Sequence, residues 1–280
     1  MWSTTCGDGE RLRHNVVVRE PEITITDHDH PEVDRVLEMV GQARRVTVIT
    51  GAGVSTDSGI PDFRGPNGLW TKNPAAEKTA TIDHYIGDPA VRRMAWEGRV
   101  ANLGRRRPEP NLGHHTLYRL EEQGRLRALV TQNVDGLHLD AGHSPDKVIE
   151  VHGSWRDTVC WSCGDRRPMS EAVRRVEDGE PDPPCLVCGG ILKSATILFG
   201  ESLVPHVIQA AMDAAEDCDL LLAVGTTLAV GPANNVVPRA RHAGADVVIL
   251  NGEPTSMDRY ADALVVGAIG EWLPRLIPGV

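Results

Sequence analysis

The run Val46-Thr-Val-Ile-Thr50, leading directly into Gly51-Ala52-Gly53, constrains this chain more than any other stretch. A short β-branched run bounded by glycine reads as a strand buried on both faces, as in a parallel sheet. The turn opens into Ser55, Thr56 and Asp57, residue types that cap helices. Strand, glycine turn and helix start together make the phosphate cradle of a nucleotide-binding fold. The turn alone is a weak signal. Thr56 stands where GxGxxG has its third glycine, and no strand-end acid follows about 20 residues on, which counts against a hydride-transfer dehydrogenase. The tail Gly59-Ile-Pro-Asp-Phe-Arg-Gly65 is the unusual part. Pro61 blocks a smooth helix, so Asp62, Phe63 and Arg64 are expected on a stiff loop beside the cradle. An acid, an aromatic plate and a guanidinium at that place point to chemistry on the nucleotide itself.

The remainder of the chain repeats the strand–helix alternation. Val33, Val36, Leu37 and Val40 follow helical spacing, with Gly41 expected to end that helix. A helix is expected from Asn111 to Gln123, then a second core strand at Leu126-Arg-Ala-Leu-Val-Thr-Gln132. Later come a helix over 205–216, strand Asp219–Val224, a helix over 232–243, strand Asp246–Leu250 and a last strand at Ala263–Val266. Strands alternating with helices predict a parallel sheet with right-handed crossovers. Residues 60–105 are too long and too rich in Pro and Gly for a simple crossover, so they are read as an inserted module or lid.

Cys160-Trp-Ser-Cys163 and Cys185-Leu-Val-Cys188 form two hooks at zinc-ribbon spacing. Four thiolates close a tetrahedron and leave no position for water, so the expected metal is structural rather than catalytic. Cys218 reads as a small apolar filler. No run of roughly 20 apolar residues appears, and the charged first thirty residues lack a signal-peptide core, so a cytoplasmic chain is expected. A net charge of -10 argues against nucleic acid as the main ligand, and the lack of a long apolar run argues against a membrane partner.

Polar residues follow the strands where parallel sheets bind ligands. Gln132-Asn133-Val134-Asp135 offers amides and a carboxylate for ribose hydroxyls and a carboxamide. Gly225-Thr226-Thr227 could hold phosphate, and Asn251-Gly252-Glu253 a ribose. His152, at the end of an apolar run, can take a proton near neutral pH. For His138 a loop-supporting role is weighed, and His114 and His143 are read as structural.

In this order, these motifs resemble the sirtuin family, and the resemblance spans about Val46 to Leu276. It implies NAD-dependent removal of acetyl or other acyl groups from protein lysine, giving nicotinamide and O-acyl-ADP-ribose. The implied fold is α/β: a Rossmann-like doubly wound parallel sheet with a small zinc-ribbon domain and a helical or loop insertion. The pattern along the chain gives the expected boundaries: a mostly flexible segment 1–30 with a short strand at Glu22-Ile-Thr-Ile-Thr26, an NAD-binding domain of 31–59, 106–152 and 201–280, the insertion 60–105 and the zinc domain 153–200.

By motif position the resemblance assigns Gly51, Ala52, Gly53, Gly225, Thr226, Thr227, Asn251, Gly252 and Glu253 to the ADP-ribose half, with Ile269 against the adenine. Val134 and Asp135 would engage the carboxamide, and Gln132 and Asn133 the adjoining ribose. Asp62 would help stabilise developing positive charge, Phe63 would shield the reacting carbon, and Arg64 completes the loop. His152, with Asn133 and Phe63, forms the implied catalytic set. The substrate peptide would add as a strand between Phe199-Gly200-Glu201 and Leu228-Ala229-Val230.

Two positions depart from the family pattern. Thr227 stands where Ser is commoner, and Trp96-Glu-Gly-Arg99 stands where dicarboxylate-removing members have Tyr-x-x-Arg. Plain or longer acyl groups are therefore favoured over succinyl. The ending Ile269-Gly-Glu-Trp-Leu-Pro resembles the mitochondrial lipoamidase-like, class II branch. A mono-ADP-ribosyltransferase and a non-enzymatic NAD-binding scaffold are the competing readings, and a monomer or weak oligomer is expected.

Overall fold

The computed structural model describes residues 21–62, 76–103 and 107–279. Its strands are β1 (Ile23–Ile25), β2 (Val46–Thr50), β3 (Leu126–Thr131), β4 (Val148–Glu150), β5 (Gly153–Cys160), β6 (Arg166–Pro168), β7 (Leu192–Thr196), β8 (Leu220–Val224), β9 (Asp246–Asn251) and β10 (Ala263–Val266). Seven of them form one sheet in the order β1-β10-β9-β8-β2-β3-β4, with every pairing parallel. The β-branched run of β2 is buried at all five positions, its edges covered by neighbouring strands and its two faces by the packed cores on either side of the sheet. From β2 the chain steps outward to β3 and β4, then resumes at β8 on the opposite side of β2. The turns after β2 and β8 therefore diverge, and such a switch point leaves a crevice at the carboxyl ends of the strands.

The helices are α1 (Val33–Gln42), α2 (Ala76–Thr79), α3 (Ile82–Gly87), α4 (Pro89–Leu103), α5 (Leu112–Glu122), α6 (Leu137–Asp140), α7 (Met169–Glu177), α8 (Pro205–Glu216), α9 (Val236–His242) and α10 (Ile269–Leu276). One face of the sheet is covered by α1, α5 and α10, whose Val36, Val40, Leu117, Leu120 and Leu273 pack on Val48, Leu129 and Leu222. On the other face α8 and α9 bring Ala211, Ala215, Val236 and Val237 onto Ile49, Val130, Leu221 and Val247. Both faces are dry, as a wholly parallel sheet requires.

Strand β5 leaves the large sheet and pairs antiparallel with β6 and β7 in a second, three-stranded sheet. Helix α4 docks there. Trp96 is fully buried with Met169, Val173 and Leu192, Tyr85 donates to the Leu192 carbonyl at 3.0 Å, and Arg92 pairs with Asp182 at 2.8 Å. The helical insertion is thus packed onto the cysteine-bearing sheet.

The structure sharpens three expectations. The short strand in the lead-in at Glu22–Thr26 is β1, whose Ile23 and Ile25 are buried where it pairs with β10. The helix start after the first glycine turn is a 3₁₀ helix over Ala52–Ser58. Gly59, at φ +83°, ends it, and Pro61 prevents its resumption. Gly41 lies inside α1, which stops at Gln42 with Ala43 extended. No helix among the described residues is long and apolar enough to cross a membrane.

Candidate active site

The crevice is framed by two glycine turns that touch through their backbones. Gly51 N–H donates to Val224 O at 3.2 Å and Gly53 N–H to Gly225 O at 2.9 Å. A Cβ on Gly51 would stand 2.7 Å from Thr226 Cβ, and one on Gly53 2.8 Å from Gly225 O. Gly225 has φ +62°, and a Cβ there would meet Val54 N at 2.6 Å and Ile269 Cδ1 at 2.7 Å. Only glycine fits these three places. The interlocked turns make a narrow backbone-lined cradle, the shape a pyrophosphate requires. Ile269, opening α10, walls it from one side, and Asn251-Gly252-Glu253 forms its rim after β9, with Asn251 Nδ2 donating to Glu253 O at 2.7 Å.

The polar loop after β3 projects into the same crevice. Gln132 Nε2 donates to Thr226 Oγ1 at 2.9 Å, tying this loop to the second glycine turn. Asn133 Nδ2 donates to Gly51 O and Ser55 Oγ, each at 3.1 Å. Asp135 accepts Ser55 Oγ–H at 2.8 Å on one oxygen and Leu137 N–H at 2.9 Å on the other. Burial pushes the Asp135 carboxyl up, while those donors and Arg156 oppose the shift. Trp155 clamps the loop from outside, its N–H donating to Val134 O at 3.1 Å and its indole to Asp135 O at 3.0 Å. From below, His138 Nε2 lies 3.0 Å from Thr50 Oγ1, which donates to Thr131 Oγ1 at 2.9 Å. His138 therefore supports the loop.

His152 is half-buried between β4 and β5. Its Nδ1 lies 3.0 Å from Gln132 O. A carbonyl can only accept, so Nδ1 carries the hydrogen and Nε2 keeps its lone pair. Burial lowers its pKa, with the Gln132 carbonyl partly opposing, so the ring is neutral near pH 7 and competent as a base. Its carbonyl accepts Ile197 N–H at 2.8 Å, which couples it to the segment leading into Phe199-Gly200-Glu201.

That segment is a tight turn. Glu201 N–H donates to Leu198 O at 3.0 Å, and Gly200 has φ +86°. Phe199 is already paired through both backbone groups, its N–H to Ala80 O and its carbonyl to Ile82 N–H. With Glu201 N–H also engaged, an added peptide strand would have to use the main chain of Gly200 and the carbonyl of Glu201 instead. Glu201 also accepts buried Lys193 Nζ at 3.1 Å, which anchors the turn to β7. Opposite, Leu228 is buried at φ +51°, its N–H bonded to Thr226 Oγ1 and its carbonyl accepting Asn234 and Ser256. A non-glycine residue in that conformation persists only where its surroundings hold it. Ala229 is exposed and Val230 half-exposed beyond it.

Trp96 and Arg99 lie at the seam with the small sheet, Trp96 fully buried and Arg99 donating to Ser194 Oγ at 2.8 Å. Asp62 is half-buried. Phe63 and Arg64 lie outside the described residues.

The four cysteines Cys160, Cys163, Cys185 and Cys188 converge, all Sγ atoms within 4.8 Å of one another. A tetrahedron with zinc–sulfur bonds of about 2.3 Å has sulfur–sulfur edges of ~3.8 Å. The observed pairs at 3.5 and 3.7 Å match that size. Ser162, Cys163 and Val187 direct backbone N–H groups at the sulfurs, as thiolates favour. The donor set fits a closed structural zinc.

Ser55, Asn111 and His114 join the site although the sequence marks Ser55 only as a helix cap, Asn111 only as a helix start and His114 only as structural. Each acts through contacts across the fold: Asn111 caps α5 and reaches back to Val54 O at 2.8 Å. The one available cue is the helix-cap signature of Asn111 with His114 three residues on.

Comparison with known proteins fits this geometry. The Sir2 family profile matches residues 51–232, more than half of the chain. An NAD-dependent protein deacetylase 2 of Streptomyces coelicolor is 48% identical over 235 residues, covering 84% of this chain and 97% of that protein. A solved structure of Sir2 with a p53 peptide and NAD+ superposes with a TM-score of 0.76 at 31% identity, covering 86% of this chain and 95% of that one. A structure of Sir2Tm bound to a propionylated peptide gives a TM-score of 0.76 at 30% identity, covering 87% and 96%.

Proposed function

This chain belongs to the Sir2 family and removes acyl groups from proteins at the expense of NAD, and we propose that the residues gathered at the carboxyl ends of β2, β3 and β8 carry that reaction. The acyl group leaves a lysine side chain. When bound, NAD would supply the ribose carbon that receives the acyl oxygen as nicotinamide departs; one water is taken up as the amide breaks, and the products are free lysine, nicotinamide and O-acyl-ADP-ribose. Ala52, Gly53, Thr226 and Thr227 hold the pyrophosphate, Asn251 and Glu253 the distal ribose, and Ile269 lies against the adenine. Gln132 and Asn133 engage the ribose beside the nicotinamide, and Val134 and Asp135 its carboxamide. His152 takes a proton from the ribose hydroxyls at Nε2. Phe63 shields the reacting carbon from water, and the carboxylates of Asp62 and Asp135 stabilise the positive charge that develops there.

One observation carries this reading. His152 is a neutral imidazole whose Nε2 keeps its lone pair, anchored by Nδ1 to the Gln132 carbonyl on the NAD side and by its own carbonyl to Ile197 on the peptide side. A base placed between two substrate seats serves transfer between them.

The chain divides into an NAD-binding unit (31–59, 106–152, 201–280), an insertion (60–105) and a zinc unit (153–200), with one zinc held by the four cysteines. The peptide lies along Gly200-Glu201 and Leu228–Val230. Acyl groups without a charge are preferred, because Trp96 brings no phenol to Arg99 and Arg99 is engaged with Ser194. The test is nicotinamide release with acetyl, succinyl, lipoyl and long-acyl lysine peptides. His152→Ala is expected to lower turnover by about 10²–10⁴-fold. Full turnover by that variant would overturn the assigned base, and succinyl as the best substrate would overturn the acyl preference.

A further inference from the structure

Beside the catalytic loop sits a buried imidazole that the reaction does not touch. His114 is fully buried on α5. Its Nδ1 lies 3.2 Å from Asn111 N–H, a donor, and 3.1 Å from Asn111 Oδ1, an acceptor, so that side alone does not set the tautomer. Nε2 faces Ser55 Oγ at 3.4 Å. Ser55 Oγ accepts Asn133 Nδ2 at 3.1 Å and gives its one hydrogen to Asp135, 2.8 Å away, so His114 Nε2 can meet this hydroxyl only as a donor. The carboxylate end sets the direction of the chain: Nε2 bears the hydrogen and Nδ1 the lone pair that accepts Asn111 N–H.

We propose that His114 is a positioning residue for the reaction: its Nε2–H orients the Ser55 hydroxyl, and Ser55 in turn fixes Asp135 as an acceptor and Asn133 in register with Gly51. This rests on the assignment of Asn133 and Asp135 to NAD made above. Burial, with His115 and His143 nearby, holds the His114 pKa down to about 4, so at neutral pH the ring carries a single N–H, which the Ser55 contact directs to Nε2. Asp135 itself faces Arg156 and Asp140 besides its donors Leu137 and Ser55. His138 lies against the His114 ring with centroids 4.9 Å apart and carries no charge to disturb it, its own pKa lowered by burial.

The tautomer can be read directly on the unliganded wild-type protein by nitrogen–proton correlation spectroscopy of its histidines. The proposal expects hydrogen on Nε2 of His114 and none on Nδ1; the opposite tautomer overturns it, whatever the enzyme's activity. Variants then test the consequence. His114→Asn keeps an acceptor toward Asn111 but loses the donor to Ser55, and is expected to lower kcat/KM for NAD about tenfold, the worth of one buried hydrogen bond, at an unchanged melting temperature. His114→Gln restores a donor near the Nε2 position and should recover most of that loss while melting lower, because the contact with Asn111 N–H is gone. If His114 acts through Ser55, Ser55→Ala with His114→Asn is no worse than Ser55→Ala alone. Additive losses, or activities that merely follow melting temperature, overturn the proposal. Absence of acyl-dependent nicotinamide release from the wild-type enzyme would instead remove the deacylase reading and leave the tautomer result standing.

Discussion

Burial lowers the pKa of both His152 and Lys193, and their partners decide what each does with its proton. Burial lowers the His152 pKa, so kcat should stay level from pH 8 to about 6.5 and fall as acid protonates Nε2. A pH–kcat profile whose acid limb lies above 6.5 would contradict this. Lys193 is also lowered by burial, yet Glu201 at 3.1 Å keeps it charged and thereby pins the peptide turn. Glu201→Gln leaves a buried cation without its carboxylate, which should cost about 3 kcal/mol in denaturant unfolding and raise the KM for peptide. An unchanged unfolding midpoint would show that the pair does not hold the turn. The glycines, the Gln132–Asp135 loop and His152 were legible in the sequence because each lies in a contiguous motif with a chemical reason for its residue types. Ser55 and His114 were not, since their partners lie 80 and 59 positions away and only the tertiary fold joins them.

At the level of elements, the strands were readable because β-branched runs buried on both faces leave few alternatives, and Asn111 marked the start of α5 as capping residues do. The 3₁₀ helix after β2 was less readable: Ser, Thr and Asp suit either helix type, and Gly59 with Pro61 decides for the shorter one. The cysteine hooks gave both the metal and its closed coordination. The β6-β5-β7 sheet has only short strands and a small core around Met169, Val173 and Leu192, so the zinc is expected to supply much of its stability. Chelation, or Cys163→Ser, should therefore raise hydrogen exchange first across residues 153–200 while the large sheet stays protected. Uniform protection after verified metal loss would refute a structural role. Trp96 belongs to this scale too. It is buried against the small sheet rather than left on a free lid, a placement that helical spacing within α4 could not reveal.

Across the whole molecule, the 3-2-1-4-5-6 order of a dinucleotide-binding sheet is kept, with β1 added beyond β10, and the site lies at its switch point. The alternation of strands and helices made that order legible, whereas the docking of the insertion on the zinc unit depends on surface matching that no local pattern encodes. Three buried histidines, His114, His138 and His143, also give the fold a pH limit, each pKa lowered chiefly by burial. The unfolded chain binds protons at these sites more readily, so stability is full above about pH 6.5 and falls as pH drops. For His114, at about 4 in the fold, the loss reaches about 3 kcal/mol by pH 4. His114→Gln should flatten that limb in denaturation series, and an unaltered limb would exclude His114 as a contributor. The proposed reaction couples NAD cleavage to deacylation in one cleft through His152. Its most direct test is the product ratio with an acetyl-lysine peptide: nicotinamide, deacetylated peptide and O-acetyl-ADP-ribose should form in equal amounts and cease together in His152→Ala. Nicotinamide released without acyl peptide, with ADP-ribose appearing on protein, would contradict it.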